Sequence, residues 1–152
     1  MHKTNHSTTT NFQLTVPVIW MLGLSGAGKT TLANGLAQKL KEQKIACTLL
    51  DGDELRKGLN KNLGFSEADR MENLRRAAEV AKLFQHSGVL PICSFISPSH
   101  EMRVMIAEIL GAAYCEVFVN CSIEVCGKRD VKGLYAMARK NAMKWNSFAG
   151  TH

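Results

Sequence analysis

Residues 23–30 read Gly23-Leu24-Ser25-Gly26-Ala27-Gly28-Lys29-Thr30, a phosphate-binding loop of the form G-x-x-x-x-G-K-[ST], followed by Thr31. No other feature constrains the fold as tightly, because such a loop works only between a β-strand and a helix. Its glycines let the backbone curl until several N–H groups point at one anion. Lys29 supplies a point charge for terminal phosphates, and the Thr30 hydroxyl suits Mg²⁺. The next helix presents its positive end to the same anion. Both flanks agree. Residues 18–22 are apolar and β-favouring, and Leu32, Leu36 and Leu40, with Ala33 and Ala37 between them, recur at helical spacing.

The pattern continues along the chain. Residues 45–50 and 89–95 read as further strands, the latter with Pro91 at the cost of one backbone donor. Residues 115–119 read as a fourth strand, and 54–59 and 122–128 as short helices. Ser66 to Asp69 fits a capping box for a long helix whose stripe is Leu74, Ala77, Ala78, Ala81 and Phe84, with Gly88 as its stop. Pro98 suits the first residue of another helix, and residues 132–144 are basic and loosely helical. Alternating strands and helices predict an α/β P-loop fold, three layers around a mostly parallel sheet. Polar clusters follow each strand, at 23–30, 51–56, 97–100 and 120–135, on the edge where such sheets bind ligands.

Composition narrows the class. The 152 residues, 45% hydrophobic, suffice for one domain over 16–152, with residues 1–15 as a flexible arm lacking a signal-peptide core. No stretch approaches a membrane span, so no membrane partner is expected. The five cysteines lack C-x-x-C spacing and read as buried thiols of a cytoplasmic protein, without zinc. A net charge of +6 fits a phosphate-bearing partner, though a solvated basic surface explains it as well. Charge is the sole argument for nucleic acid, which is not expected as a partner.

On the long helix, Arg70 and Asn73 fall in line with the apolar stripe, while Arg75, Glu79 and Lys82 point away. Arg70 should therefore project into the cleft; an internal salt bridge is the alternative. The chain lacks the N-K-x-D of GTPases, and Asp130 to Gly133 matches D-x-x-G only after a helical segment. A small-molecule kinase remains. It needs an acid near the acceptor hydroxyl and cations around the moving phosphoryl group. Asp51, Asp53, Arg56 and Arg70 meet those needs.

Further motifs are more specific than the loop. They are residues 50–56 (Leu-Asp-Gly-Asp-Glu-Leu-Arg), 58–66 (Gly-Leu-Asn-Lys-Asn-Leu-Gly-Phe-Ser), 69–76 (Asp-Arg-Met-Glu-Asn-Leu-Arg-Arg), 95–98 (Phe-Ile-Ser-Pro) and 129–135 (Arg-Asp-Val-Lys-Gly-Leu-Tyr). With these the chain resembles the adenylylsulfate (APS) kinase family from about residue 18 to 150. The resemblance implies transfer of the γ-phosphate of ATP to the 3′-hydroxyl of adenylylsulfate, giving PAPS for sulfate assimilation. It implies ATP and Mg²⁺ as cofactors and allows a homodimer.

Residue by residue, the resemblance gives ATP the loop from Gly23 to Thr31 together with Arg129, and gives Mg²⁺ the pair Thr30 and Asp51. Asp53 would orient or deprotonate the hydroxyl, with Lys29 as a catalytic cation. Arg56, Arg70 and Asn73 would hold the phosphosulfate and ribose, Phe65 and Phe148 would sandwich the adenine, and Ile96 and Ser97 would line the same pocket. Lys132, Gly133 and Leu134 would form a lid. Ser97 is a phosphoserine candidate by resemblance; capping the helix at Pro98 is the alternative, and direct in-line transfer needs fewer steps.

The chain departs from the family at Ser99, His100 and Glu101, where an aromatic and arginines are usual, and at Ala149, where Phe-Thr-Gly is usual. It also ends at His152, ahead of the acidic segment, strand and helix with which the family continues. A catalytically impaired nucleotide-binding module is therefore the competing expectation.

Overall fold

Trp20 and its alternate neighbours define the two faces of a parallel sheet. The structure is a computed structural model that describes residues 15–130 and 132–140; the N-terminal arm expected over residues 1–15 (all but its last residue) and Phe148 lie outside them. The strands are β1 (Val18–Leu22), β2 (Cys47–Asp51), β3 (Leu90–Phe95) and β4 (Tyr114–Phe118), in the order β2-β3-β1-β4. All pairings are parallel, with Ile19 opposite Ile92 and Cys115, and Leu50 opposite Cys93. The helices are α1 (Lys29–Glu42), α2 (Gly52–Lys57), α3 (Glu67–His86), α4 (His100–Leu110), α5 (Ile123–Arg129) and α6 (Leu134–Lys140).

Successive strand residues point to opposite faces, so β1 feeds two cores. Val18, Trp20 and Leu22 pack with Leu74, Ala77 and Ala81 of α3 and with Met102 and Ile106 of α4. Met21 packs on the other face with Ala33 and Ala37 of α1, Cys126 of α5 and Tyr135 of α6. Helices on both faces give the expected three layers.

Three expectations are corrected. On α1 the buried apolar residues are Ala33 and Ala37, whereas Leu32 is 52% exposed. Two alanines let the helix backbone lie close to the sheet, which rotates the leucines to the flank. The helix after β3 starts at His100, not Pro98. Ser99 is its N-cap, accepting from Met102 N at 3.2 Å. Of the cysteines, Cys93 and Cys126 are buried but Cys115 is exposed on edge strand β4.

Candidate active site

The phosphate loop closes β1 onto α1 through conformations that side chains resist. Gly23 has φ +148, and a Cβ there would stand 2.7 Å from the Val119 carbonyl oxygen. Gly28, at φ +102, is the N-cap of α1 and provides no side-chain cap, so the first-turn N–H groups face the loop. Lys29 is buried, its Nζ donating to the Gly23 carbonyl at 2.8 Å and the Leu24 carbonyl at 2.7 Å. Burial, and next the charge of Lys132, push its pKa down to about 8.

One turn of α1 reaches the end of β2. Thr30 Oγ1 donates to Asp51 Oδ2 at 2.9 Å. The other Asp51 oxygen accepts from Asp53 N at 2.9 Å and caps α2. The cap fixes Asp53 in the first turn, where its carboxylate forms an ion pair with Lys132. Thr30, Asp51, Asp53 and Lys29 thus share one side of the cleft. Thr30 and Asp51 present hard oxygens side by side, the donor set Mg²⁺ takes when phosphates complete its shell.

A second group of candidates gathers around residues 58–66. Arg56 donates from one nitrogen to the carbonyls of Leu63 and Gly64, at 3.3 and 2.9 Å. Its guanidinium lies 4.4 Å from the ring centre of Phe65, which is 71% exposed. Phe65 is therefore a shelf held from one side and open on the other. Arg70 is half-buried and close enough that its charge, after burial, lowers the pKa of Arg56. Asn73 is buried beside Asn60. Ser66 caps α3, accepting from Asp69 N at 3.1 Å while donating to its carboxylate at 2.9 Å. Arg75, expected in solvent, is exposed but pairs with Glu72.

Ile96 is half-buried at the end of β3. Ser97 is only 3% exposed, and its Oγ accepts from Trp20 Nε1 at 3.1 Å. Capping is therefore not its role, because Ser99 performs it. Trp20 in turn stacks on Phe95 at 4.8 Å. Arg129 donates to the Gly26 carbonyl at 3.0 Å, tying the end of α5 to the phosphate loop. Asp130 accepts from the N–H groups of Tyr135 and Ala136, both at 3.0 Å, at the start of α6, which begins at Leu134 directly after Gly133. The Tyr135 hydroxyl donates to the Ser25 carbonyl at 2.7 Å.

Sequence reasoning gave no role to Trp20, Asn60, Asp130 or Tyr135. Tyr135 could have been found as the last residue of the 129–135 motif; the contacts of Trp20 and Asn60 left no local signal.

The sequence profile of the family described as adenylylsulphate kinase matches residues 15–152. The adenylyl-sulfate kinase of Bacteroides thetaiotaomicron is 53% identical over 128 residues, covering 84% of this chain and 64% of its own length. That of Paraburkholderia xenovorans is 57% identical over 123 residues, covering 81% and 69%. The chain spans just under two thirds of the length of the Bacteroides relatives it matches. Among solved structures, the Mycobacterium tuberculosis APS kinase CysC in complex with AMPPNP and APS superposes with a TM-score of 0.81. It is 43% identical, covering 89% of this chain and 79% of that one. A gluconokinase from Sinorhizobium meliloti, 18% identical with a TM-score of 0.58, shares the fold alone.

Proposed function

The chain belongs to the adenylylsulfate kinase family, and from that premise we propose that it transfers the γ-phosphate of ATP to the 3′-hydroxyl of adenylylsulfate. The observation that carries this reading is the Thr30–Asp51 hydrogen bond at 2.9 Å. It joins the phosphate loop to the capped helix bearing Asp53, so a phosphate donor and an acceptor hydroxyl meet at one place. In the solved relative crystallised with AMPPNP and APS, the two ligands are of these classes.

In this reading the loop N–H groups, the start of α1 and Lys29 bind the ATP phosphates. Thr30 and Asp51 would hold Mg²⁺, which would supply positive charge to neutralise the phosphates. Asp53 accepts a hydrogen bond from the 3′-hydroxyl and aims its oxygen at the γ-phosphorus. The new bond joins the 3′-oxygen to phosphorus as the bond to the β,γ-bridging oxygen breaks. ADP leaves, and the hydroxyl proton passes to Asp53 or water. A carboxylate is a weak base for an alcohol, so positioning outweighs proton removal.

Arg56 and Arg70 face the phosphosulfate, Asn73 the ribose, and the open face of Phe65 the adenine. Arg56 commits one nitrogen to carbonyls and keeps its other donors for the ligand. Arg129 steadies the loop, and residues 132–134 cover the nucleotides. Transfer is direct in this scheme. Ser97 is buried with its oxygen engaged by Trp20, a poor position for a phosphorylated intermediate.

The test is a coupled assay with ATP, Mg²⁺ and adenylylsulfate, with gluconate and shikimate as control acceptors. PAPS is expected from adenylylsulfate alone, and Lys29→Ala or Asp53→Ala should each abolish it. Absence of PAPS under conditions where a family relative turns over would overturn the proposal.

A further inference from the structure

Asn60 is wholly buried in the turn after α2, between exposed neighbours, yet it carries an amide. Its Nδ2 donates to two oxygens of one residue, the Asn73 side-chain Oδ1 at 2.9 Å and the Asn73 backbone carbonyl at 3.4 Å. Its own Oδ1 has no partner among the described residues. A buried amide kept for packing would satisfy both ends, or give way to an apolar residue that leaves no oxygen unpaired. Here only the donor end is used, and everything it donates goes to Asn73.

That arrangement fixes an orientation. A backbone carbonyl can only accept, so the end of Asn60 facing Asn73 must be its NH₂. The same NH₂ then holds the Oδ1 of Asn73 inward. Asn73 Nδ2 meets no acceptor among the described residues, and it is not one of the fully enclosed unpaired atoms. The donor end is therefore the one turned away from Asn60 and reached by solvent, one helical turn from Arg70.

We infer that Asn60 is a positioning residue that sets the polarity of Asn73, making it a hydrogen-bond donor toward the acceptor substrate. The substrate part of this inference rests on the function proposed above; the orientation part does not. At this position the pocket reads an acceptor atom, such as a ribose or phosphosulfate oxygen, and rejects a donor.

Two variants test it in the full chain. Asn60→Asp replaces the NH₂ by a carboxyl oxygen, which only accepts when ionised, so Asn73 then turns its NH₂ inward and its oxygen outward. Asn73→Asp keeps the buried bond from Asn60 intact and presents an oxygen to the cleft, so it tests the same polarity without disturbing the interior. Each should raise KM for adenylylsulfate about tenfold or more, the scale of one lost hydrogen bond. KM for ATP should stay within about twofold. In an Asn73→Ala background, Asn60→Asp should change KM for adenylylsulfate no further. Equal damage to both substrates, or an unchanged KM for adenylylsulfate in Asn73→Asp, would overturn the inference.

Side-chain amide NMR decides the orientation independently of turnover. In the unsubstituted chain the Asn60 NH₂ protons should be protected from exchange and those of Asn73 should exchange. In Asn60→Asp, protection should move to Asn73. Protected Asn73 protons in the unsubstituted chain would overturn the inference even if the enzyme works. Absence of turnover with the expected NMR pattern would instead remove only the proposed function.

Discussion

The Lys132 ammonium sits on the Asp53 carboxylate, an ion pair joining the segment ahead of α6 to the first turn of α2. The two side chains are 47% and 54% exposed, so the pair contributes about 0–1 kcal/mol to stability. Its weight falls on position, since Lys132 and an acceptor hydroxyl would compete for the same Asp53 carboxylate. Lys132→Ala is expected to leave thermal unfolding nearly unchanged. Asp53→Asn should lower phosphate transfer roughly 10²-fold or more with the fold intact. Circular dichroism melts beside the turnover assay check both, and a large stability loss in Lys132→Ala would mark the pair as structural.

Lys29 yields a pH prediction with opposite signs for folding and binding. Its pKa is about 8 in the fold against 10.5 ordinarily. The folded chain prefers the neutral amine, so this site opposes folding fully below about pH 8, and the opposition fades as pH rises toward 10.5. Phosphate binding needs the ammonium, so ATP affinity should fall as pH rises through about 8. Lys132 is the second cause of the depression, after burial. Lys132→Ala should therefore move that fall to higher pH, and Lys29→Ala should remove it. Calorimetric titration with ATP from about pH 7 to 10 measures all three.

Gly23 and Gly28 separate steric from conformational cost. A Cβ at Gly23 meets a backbone oxygen at 2.7 Å, which cannot rotate away, whereas a Cβ at Gly28 meets nothing within 4 Å. Both have positive φ. Gly28→Ala should cost about 1–2 kcal/mol from backbone strain alone. Gly23→Ala should cost more and should abolish nucleotide binding by displacing the loop from Val119, just past β4. Chemical denaturation ranks the two, and equal costs would refute the clash.

Tyr135→Phe removes the hydroxyl that reaches the Ser25 carbonyl and leaves the ring in the core. The expected cost is about 1 kcal/mol of stability. ATP affinity should weaken several-fold, because α6 no longer steadies the loop. Unchanged affinity would show that the loop holds its shape without α6.

The fold was legible where its causes are local. The apolar, β-favouring run at 18–22, the loop glycines and the Ser66 cap each act within a few residues, and the strand and the two helices they specify formed close to their expected bounds. The start of α4 was not, because Ser97 and Ser99 flank Pro98 and either can cap a helix. Ser97 is excluded by its bond to Trp20, 77 residues away, which no local rule contains. Leu32 was misread because periodicity finds the apolar side of α1 but not how closely alanines let it approach the sheet. The grouping of Thr30 with Asp51 was legible through the motifs on either side. The direction in which Asn73 turns its amide was not, because it depends on Asn60 across a loop.

Trp20 is fully buried, and its indole N–H ends on Ser97, at the margin of the cleft. An indole enclosed by hydrocarbon emits at short wavelength, and its emission is sensitive to the hydrogen bond at its nitrogen. The chain thus carries an optical gauge in its central strand, wired to the loop that follows β3. A ligand that shifts residues 96–98 is expected to register in that emission, read in a Trp145→Phe background so that Trp20 is the sole indole.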